Sequence, residues 1–210
     1  MNPKLNNVKV SISDGNSKMG RIPSVSLPPV ITCAENCRCA KKCYAKRLCN
    51  LYPNVREAYA RNLEIYSKLP DEYFAQIDQV ITMSRYFRFH VGGDIPDPAY
   101  LEKMMRLAEK HPHCEILAFT KQYEMCNDWL DHNRKPENMH LIFSAWPGME
   151  MNNPHDLPVA QVIFRGQAPL MTGKYAAETA ATVHAEVLVV GKSATEKRLR
   201  STNIKEVSLC

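Results

Sequence analysis

Five cysteines stand between residues 33 and 49, in the run CAENCRCAKKCYAKRLC: Cys33, Cys37, Cys39, Cys43 and Cys49. No other feature constrains the chain as strongly. Thiols this close along a backbone need a binder, and three kinds serve: disulfide partners, zinc or an iron–sulfur cluster. The opening MNPKLNNVKVSISDGNSKMG lacks the apolar stretch of an export signal. No run approaches the roughly 18 apolar residues of a membrane helix. A cytoplasmic chain without membrane association is therefore expected, and there thiols stay reduced. Metal or cluster binding is favoured over disulfides.

A length of 210 residues suits one domain with a buried core. A hydrophobic content of 45% and a charged content of 23% are those of a globular protein. The net charge of +5 permits an anionic partner, nucleic acid included, without requiring one, because Asp and Glu are interspersed with Lys and Arg. No feature fixes an oligomeric state.

Residues 1–23 read as a polar arm, loose or forming an edge strand. Residues 24–31, SVSLPPVI, read as an extended segment made irregular by its prolines, leading into the cysteine loop at 33–49. A helix is expected from Pro53, with Val55, Ala58, Tyr59, Asn62, Leu63 and Tyr66 near one face and Pro70 as its stop. A second starts at Asp71 and carries Phe74, Ile77, Val80 and Ile81 at helical spacing. Residues 86–91 alternate like a strand and end at Gly92-Gly93-Asp94. Asp97-Pro98 opens a helix with Leu101, Met104, Met105 and Ala108 that stops before Pro112. Strands are expected at 115–120, 140–146 and 159–164, with a helix at 121–132.

This rhythm predicts an α/β fold in which parallel βα repeats form a partial, incomplete barrel of about four to six strands over residues 24–170. Functional residues of such folds gather at the carboxyl ends of strands. The cysteine loop, Gly92-Gly93-Asp94, Thr120-Lys121 and Ser144-Ala145-Trp146 all stand there.

The cysteine run contains no CxxC pair. Cys33, Cys39 and Cys43 form C-x5-C-x3-C, able to hold a four-iron cluster and leave one iron open. Structural zinc is the other reading, completed by His132, His140 or a fourth cysteine. Spacing does not choose between them. Gly92 and Gly93 let a ligand approach the backbone, and Asp94 can hold an ammonium group; equally, the three form a tight turn that caps the next helix. Arg88 and His90 share one face of their strand and can bind a carboxylate or phosphate, or make a structural pair. Lys121 can bind an anion, and Trp146 can stack on a base or lie in the core. Cys114 and Cys126 read as buried hydrophobes. Lys41, Lys42, Lys46 and Arg47 surround the cysteines, where they can steer an anion or nucleic-acid backbone and lower thiol pKa values. There is no Ser-His-Asp arrangement, GxxxxGK loop or HExxH, so no catalytic residue is assigned.

From Ser26 to Pro158 the chain resembles the phage-encoded gene product 88 family, on the pieces LPPVITC, CAKKCYA, YPNVREAYARN, RFHVGGDIPD, FTKQY, LIFSAWPG and NPHDLPVA. That family in turn resembles, more distantly, the radical S-adenosylmethionine (SAM) enzymes. Those place a three-cysteine loop after the first barrel strand and a Gly-Gly-Glu-type motif after the second. The resemblance implies Cys33, Cys39 and Cys43 as ligands of a [4Fe-4S] cluster. It implies Gly92, Gly93 and Asp94 as the binder of the SAM amino group, with Tyr44 near the adenine. Arg88, His90, Lys121 and Trp146 would meet the substrate.

Two departures stand out. The superfamily's usual C-x3-C-x2-C is not present, and Lys42 stands where an aromatic is usual; Cys37 can replace Cys33. The implied activity is reductive cleavage of SAM to methionine and a 5′-deoxyadenosyl radical that abstracts hydrogen from an unknown substrate. The alternative is a zinc-stabilised nucleic-acid-binding module.

The family pattern stops near Met171. The family ends in a cysteine-rich segment with a Cys-Trp pair, whereas residues 171–209 hold no cysteine. Permitted codons from Ala177, read in another frame, encode such a segment and a stop across Ile204-Lys205. The tail 171–210 is therefore expected to be out of frame and mobile, with Val187–Val190 packing opportunistically or not at all. An intact frame through codon 210, confirmed by peptide mass, ends the idea.

Overall fold

Proline sets the start of three helices: α2 (Pro53–Lys68), α3 (Pro70–Thr82) and α4 (Pro98–Lys110). At the first helical position its missing N–H is no loss and its φ is already helical. Asp97 caps α4 by accepting the Tyr100 N–H at 2.8 Å, and it also accepts the Tyr66 hydroxyl at 2.7 Å. That second bond ties α2 to the start of α4.

The computed structural model describes residues 8–15, 21–35, 37–162 and 187–190. One sheet holds β1 (Ile12–Ser13), β2 (Ser24–Val25), β3 (Tyr86–Phe89), β4 (Glu115–Thr120), β5 (Met139–Ala145), β6 (Val159–Val162) and β7 (Val187–Val190) in sequence order. Neighbours from β2 to β6 pair parallel, while β1 and β7 lie antiparallel at the edges. Helices α2 and α3 bridge β2 to β3, α4 bridges β3 to β4, and α5 (Tyr123–Leu130) bridges β4 to β5. Winding in one direction without a reversal of strand order is the habit of a barrel, not of a doubly wound sheet. Here the sheet stays open, as the expectation of an incomplete barrel required.

Strand parity divides the two faces. Phe87, Phe89, Ile116, Ala118, Met139, Leu141 and Phe143 pack under the helices in the main core. Each large apolar side chain buried there contributes about 1.5–3 kcal/mol. A knot of Tyr66, Tyr73, Phe74 and Tyr100 joins α2, α3 and α4 edge to face, with Tyr66 and Tyr100 centroids 4.8 Å apart. The phenols of Tyr73 and Tyr100 satisfy each other at 2.9 Å. On the opposite face Leu117, Ile142 and Ala160 form a smaller cluster with Phe119.

Several boundaries differ from the expectation. The SVSLPPVI segment leaves the sheet after Val25. Strand β3 stops at Phe89 because His90 adopts φ +59°, which ends an extended run. The cysteine segment is not a plain loop: a 3-10 turn spans Arg38–Lys42, and α1 spans Tyr44–Leu51. The polar arm is anchored at its edge strand. Asn62, fully buried on α2, accepts from the Ser11 N–H at 2.7 Å and donates to the Ser11 and Ser26 carbonyls at 2.9 and 3.0 Å. Val187–Val190 pairs in register with β6, Val159 opposite Val190 and Val162 opposite Val187. The expectations of mobility and a shifted frame for the rest of 171–210 lie outside the described residues.

Candidate functional site

A cavity of about 130 Å³ opens at the carboxyl ends of β2 to β5. At about 30 Å³ per water in the liquid, that is room for several waters or a small ligand group. Cys33, Cys37, Cys39 and Cys43 line it from the segment after β2. His90, Gly92, Gly93 and Asp94 line it from the loop after β3, Lys121 from the end of β4, and Ser144 and Trp146 from the end of β5. Tyr44 borders it from the start of α1, and Arg88 and Phe119 from the face away from the main core. The expected sulfur ligands, the Gly92–Asp94 loop, Tyr44 and the four expected substrate contacts therefore border one pocket. Neither His132 nor His140 does: His132 Nδ1 lies 2.9 Å from the Asp128 carbonyl, and His140 Nε2 lies 2.6 Å from Glu115 Oε2.

The sulfurs form a chain of contacts in sequence order. Cys33 hydrogen-bonds to Cys37, Cys37 lies 2.7 Å from Cys39, and Cys39 bonds onward to Cys43. Cys37 is driven toward the thiolate by the thiols on either side and by the charge of Lys121. Cys43 is lowered by the Cys39 thiol and by backbone N–H groups at the start of α1, which it caps. Cys33 and Cys39 move up, held as donors to their neighbours. Cys49 stands apart on α1, buried and raised by that burial. Among the described residues, no three His, Cys, Asp or Glu are already disposed around a single metal position. The donor set is nonetheless all soft sulfur, which fits zinc or an iron–sulfur cluster and not a hard cation. Closing on either requires the row of sulfurs to fold inward.

The loop after β3 is shaped by the chain itself. Gly93 has φ +79°, a conformation glycine adopts without steric cost. A Cβ on Gly92 would lie 2.6 Å from Tyr59 Cε2. The close approach that the paired glycines permit is thus made, at least in part, by protein groups. Asp94, 4% exposed, is engaged as well. Its Oδ1 accepts the Thr120 hydroxyl at 2.6 Å and the Ile95 N–H at 2.8 Å, and its Oδ2 accepts the Lys121 N–H at 2.8 Å. Burial raises its pKa against these donors and the Lys121 charge. The carboxylate clamps the β3 loop to the end of β4, and one lone-pair site remains for a ligand.

Arg88 and His90 do not share a face. The Arg88 guanidinium lies 5.1 Å from the Phe119 ring centre, on the side away from the main core. The left-handed turn at His90 swings its ring against Phe89 and Tyr100, at centroid distances of 5.9 and 5.3 Å. Burial and the Arg88 charge push the His90 pKa down to about 3. The Tyr44 hydroxyl donates to the Val91 carbonyl, pinning α1 to the β3 loop. Burial raises that phenol to about 12. Lys121 Nζ donates to Ser144 Oγ at 2.9 Å across the ends of β4 and β5.

Sequence reasoning gave no role to Thr32 or Phe119, placed Tyr59 only on a helix face and placed Thr120 only at a strand end. Phe119 was legible in principle: it has the parity of Leu117, opposite to the core residues Ile116 and Ala118. The hydroxyls of Thr32 and Thr120 and the ring of Tyr59 carry no motif signal. Cys114 and Cys126 are buried in the main core, as hydrophobes are.

Comparison with curated proteins finds no match, and neither does comparison with solved structures. The gene product 88 family profile matches residues 3–187, extending on both sides of the stretch that carries the motifs and past Met171. The chain belongs to the gene product 88 family.

Proposed function

We propose that this protein is an iron–sulfur enzyme of radical SAM-like type, acting on an unknown substrate. Cys33, Cys39 and Cys43 hold the cluster, and Cys37 is available as a fourth sulfur. The observation that carries the reading is the sharing of one pocket by four cysteines and the Gly92–Asp94 loop, at the carboxyl rim of a parallel sheet. When bound, a reduced four-iron cluster with SAM supplies the chemistry of hydrogen abstraction. The chain's own groups do the rest. Asp94 offers its remaining lone pair to an ammonium group, and Trp146 offers a face for stacking. Lys121 sets positive charge beside Cys37 and Cys39, favouring ionised sulfur.

A zinc-stabilised nucleic-acid-binding module is the second reading. It is favoured by the count of four sulfurs at the pocket, which suits a closed tetrahedral site. The basic residues Lys41, Lys42, Lys46 and Arg47 then face the nucleic-acid backbone.

Anaerobic purification with metal and sulfide analysis separates the two. A brown protein with charge-transfer absorption and about four irons supports the enzyme reading. A colourless protein with one tightly held zinc and salt-dependent DNA affinity supports the module and removes the enzyme reading.

A further inference from the structure

His90 carries hydrogen-bonding capacity that its surroundings do not use. It is 3% exposed, it lines the pocket, and neither Nδ1 nor Nε2 has a hydrogen-bond partner. Its φ of +59° places an imidazole in the left-handed region, where Gly or Asn is the easier residue. An unpaired buried polar group and a strained backbone each lower stability, and such costs collect where a site binds something. Packing alone explains neither. A phenyl ring would fill the same space against Phe89 and Tyr100 with no polar atom left over. Three cationic side chains, Lys42, Arg88 and Lys121, also stand on the wall, beside Asp94 and the cysteine sulfurs. The Asp94 carboxylate is already engaged by three donors of the protein.

We propose that His90 is a binding residue for an oxyanion, a carboxylate or phosphate group on the ligand that enters this pocket. Its neutral imidazole donates one N–H to the anionic oxygen, while the cations of the wall supply the opposing charge. The other ring nitrogen accepts from a hydroxyl of the same ligand or from water. Burial and the neighbouring guanidinium keep the ring neutral, so it acts as donor and acceptor rather than as a third cation. The inference shares the pocket of the proposed cluster but not its metal, so each can fail alone.

The test uses the full-length chain, reduced and free of metal, in thermal unfolding and calorimetry. The probes are inorganic phosphate, acetate and chloride at matched ionic strength. Wild type is expected to be stabilised by an oxyanion beyond chloride. A response to phosphate marks a phosphorylated ligand, and a response to acetate alone marks a carboxylate. His90→Phe removes both ring nitrogens and is expected to bind the responding anion at least tenfold more weakly. His90→Asn retains a donor, suits the left-handed backbone and keeps the response. The proposal is overturned by either of two results: no preference of wild type for either oxyanion over chloride, or an undiminished response in His90→Phe.

Discussion

Gly93 rests directly on Leu27: a Cβ at position 93 would stand 2.5 Å from the Leu27 carbonyl oxygen and 2.7 Å from Thr32 Oγ1. The Asp94 N–H donates to that same Thr32 hydroxyl at 3.1 Å, and Cys33 follows Thr32 in the chain. The glycine is therefore the seat on which the cysteine-bearing segment docks against β3. The sulfurs reach the pocket because the backbone at 93 leaves room.

Gly93→Ala is expected to cost about 2–4 kcal/mol, from a left-handed φ imposed on alanine and from overlap with backbone that cannot shift. Gly92→Ala should cost less, because the atom it meets belongs to the ring of Tyr59, which can turn aside. Urea unfolding of both variants measures the order. Equal losses would reject the distinction between backbone and side-chain contact.

Asp94→Asn preserves shape but turns one acceptor oxygen into a donor facing a donor, whichever way the amide lies. A loss of about 1–3 kcal/mol follows from an unsatisfied buried pair. The consequence for ligand work is direct. A fall in SAM affinity in Asp94→Ala reports on recognition only if denaturation curves show the rim intact, since the same change unfastens β3 from Thr120 and Lys121. A variant with unaltered stability would show that the clamp contributes little.

Cys37 and Cys49 flank the expected ligands on the chain, yet the fold treats them oppositely. Cys37 sits inside the row of sulfurs between Cys33 and Cys39, while Cys49 is turned into the packing of α1. Replacing Cys37 by Ala should lower metal content after anaerobic reconstitution by as much as replacing Cys39. Replacing Cys49 should leave it near wild type and lower stability by about 1 kcal/mol through lost packing. Iron, zinc and sulfide analysis on matched preparations decides it. A Cys49→Ala protein that loses its metal would move the centre away from the pocket.

Much of this geometry was legible in the sequence, for identifiable reasons. Pro53, Pro70 and Pro98 mark helix starts through φ and a missing donor, both local properties. Strands β4 and β5 announce themselves by apolar runs between turn residues, and a parallel sheet follows from the alternation with helices. That placed the ends of β4 and, within one residue, β5, and with them part of the rim. The cysteine segment could not be read this way. Sulfurs at 33, 37, 39, 43 and 49 follow no helical stripe, so α1 and the 3-10 turn left no periodic signal. Strand β7 was hidden too, because an apolar run of four residues names no partner. The turn at His90 depends on tertiary contacts with Val25 and Tyr100, and alternation alone extended β3 through it. Asp94 was legible as a site residue, but its engagement by Thr120 was not, since that bond spans 26 positions.

The buried imidazole also makes a signed prediction in pH. His90 has its pKa lowered from 6.5 to about 3 by burial and by Arg88. Between those values the unfolded chain binds a proton that the folded chain refuses. Stability therefore rises with pH across this window, is fully present above the unfolded value, and is lost as pH falls toward the folded one. Well inside the window, the site contributes a slope of about 1.4 kcal/mol per pH unit. Asp94 acts in the opposite sense. Its pKa is raised, so its contribution is fully present below the unfolded value and is lost as pH climbs through the folded one. The difference between wild type and His90→Phe cancels Asp94 and isolates the histidine. Urea unfolding from pH 4 to 7 should show the stability of His90→Phe rising relative to wild type as the solution is acidified. Parallel curves for the two proteins would mean that His90 takes up its proton in the folded state as readily as in the unfolded chain, and that the ring is not sealed from water.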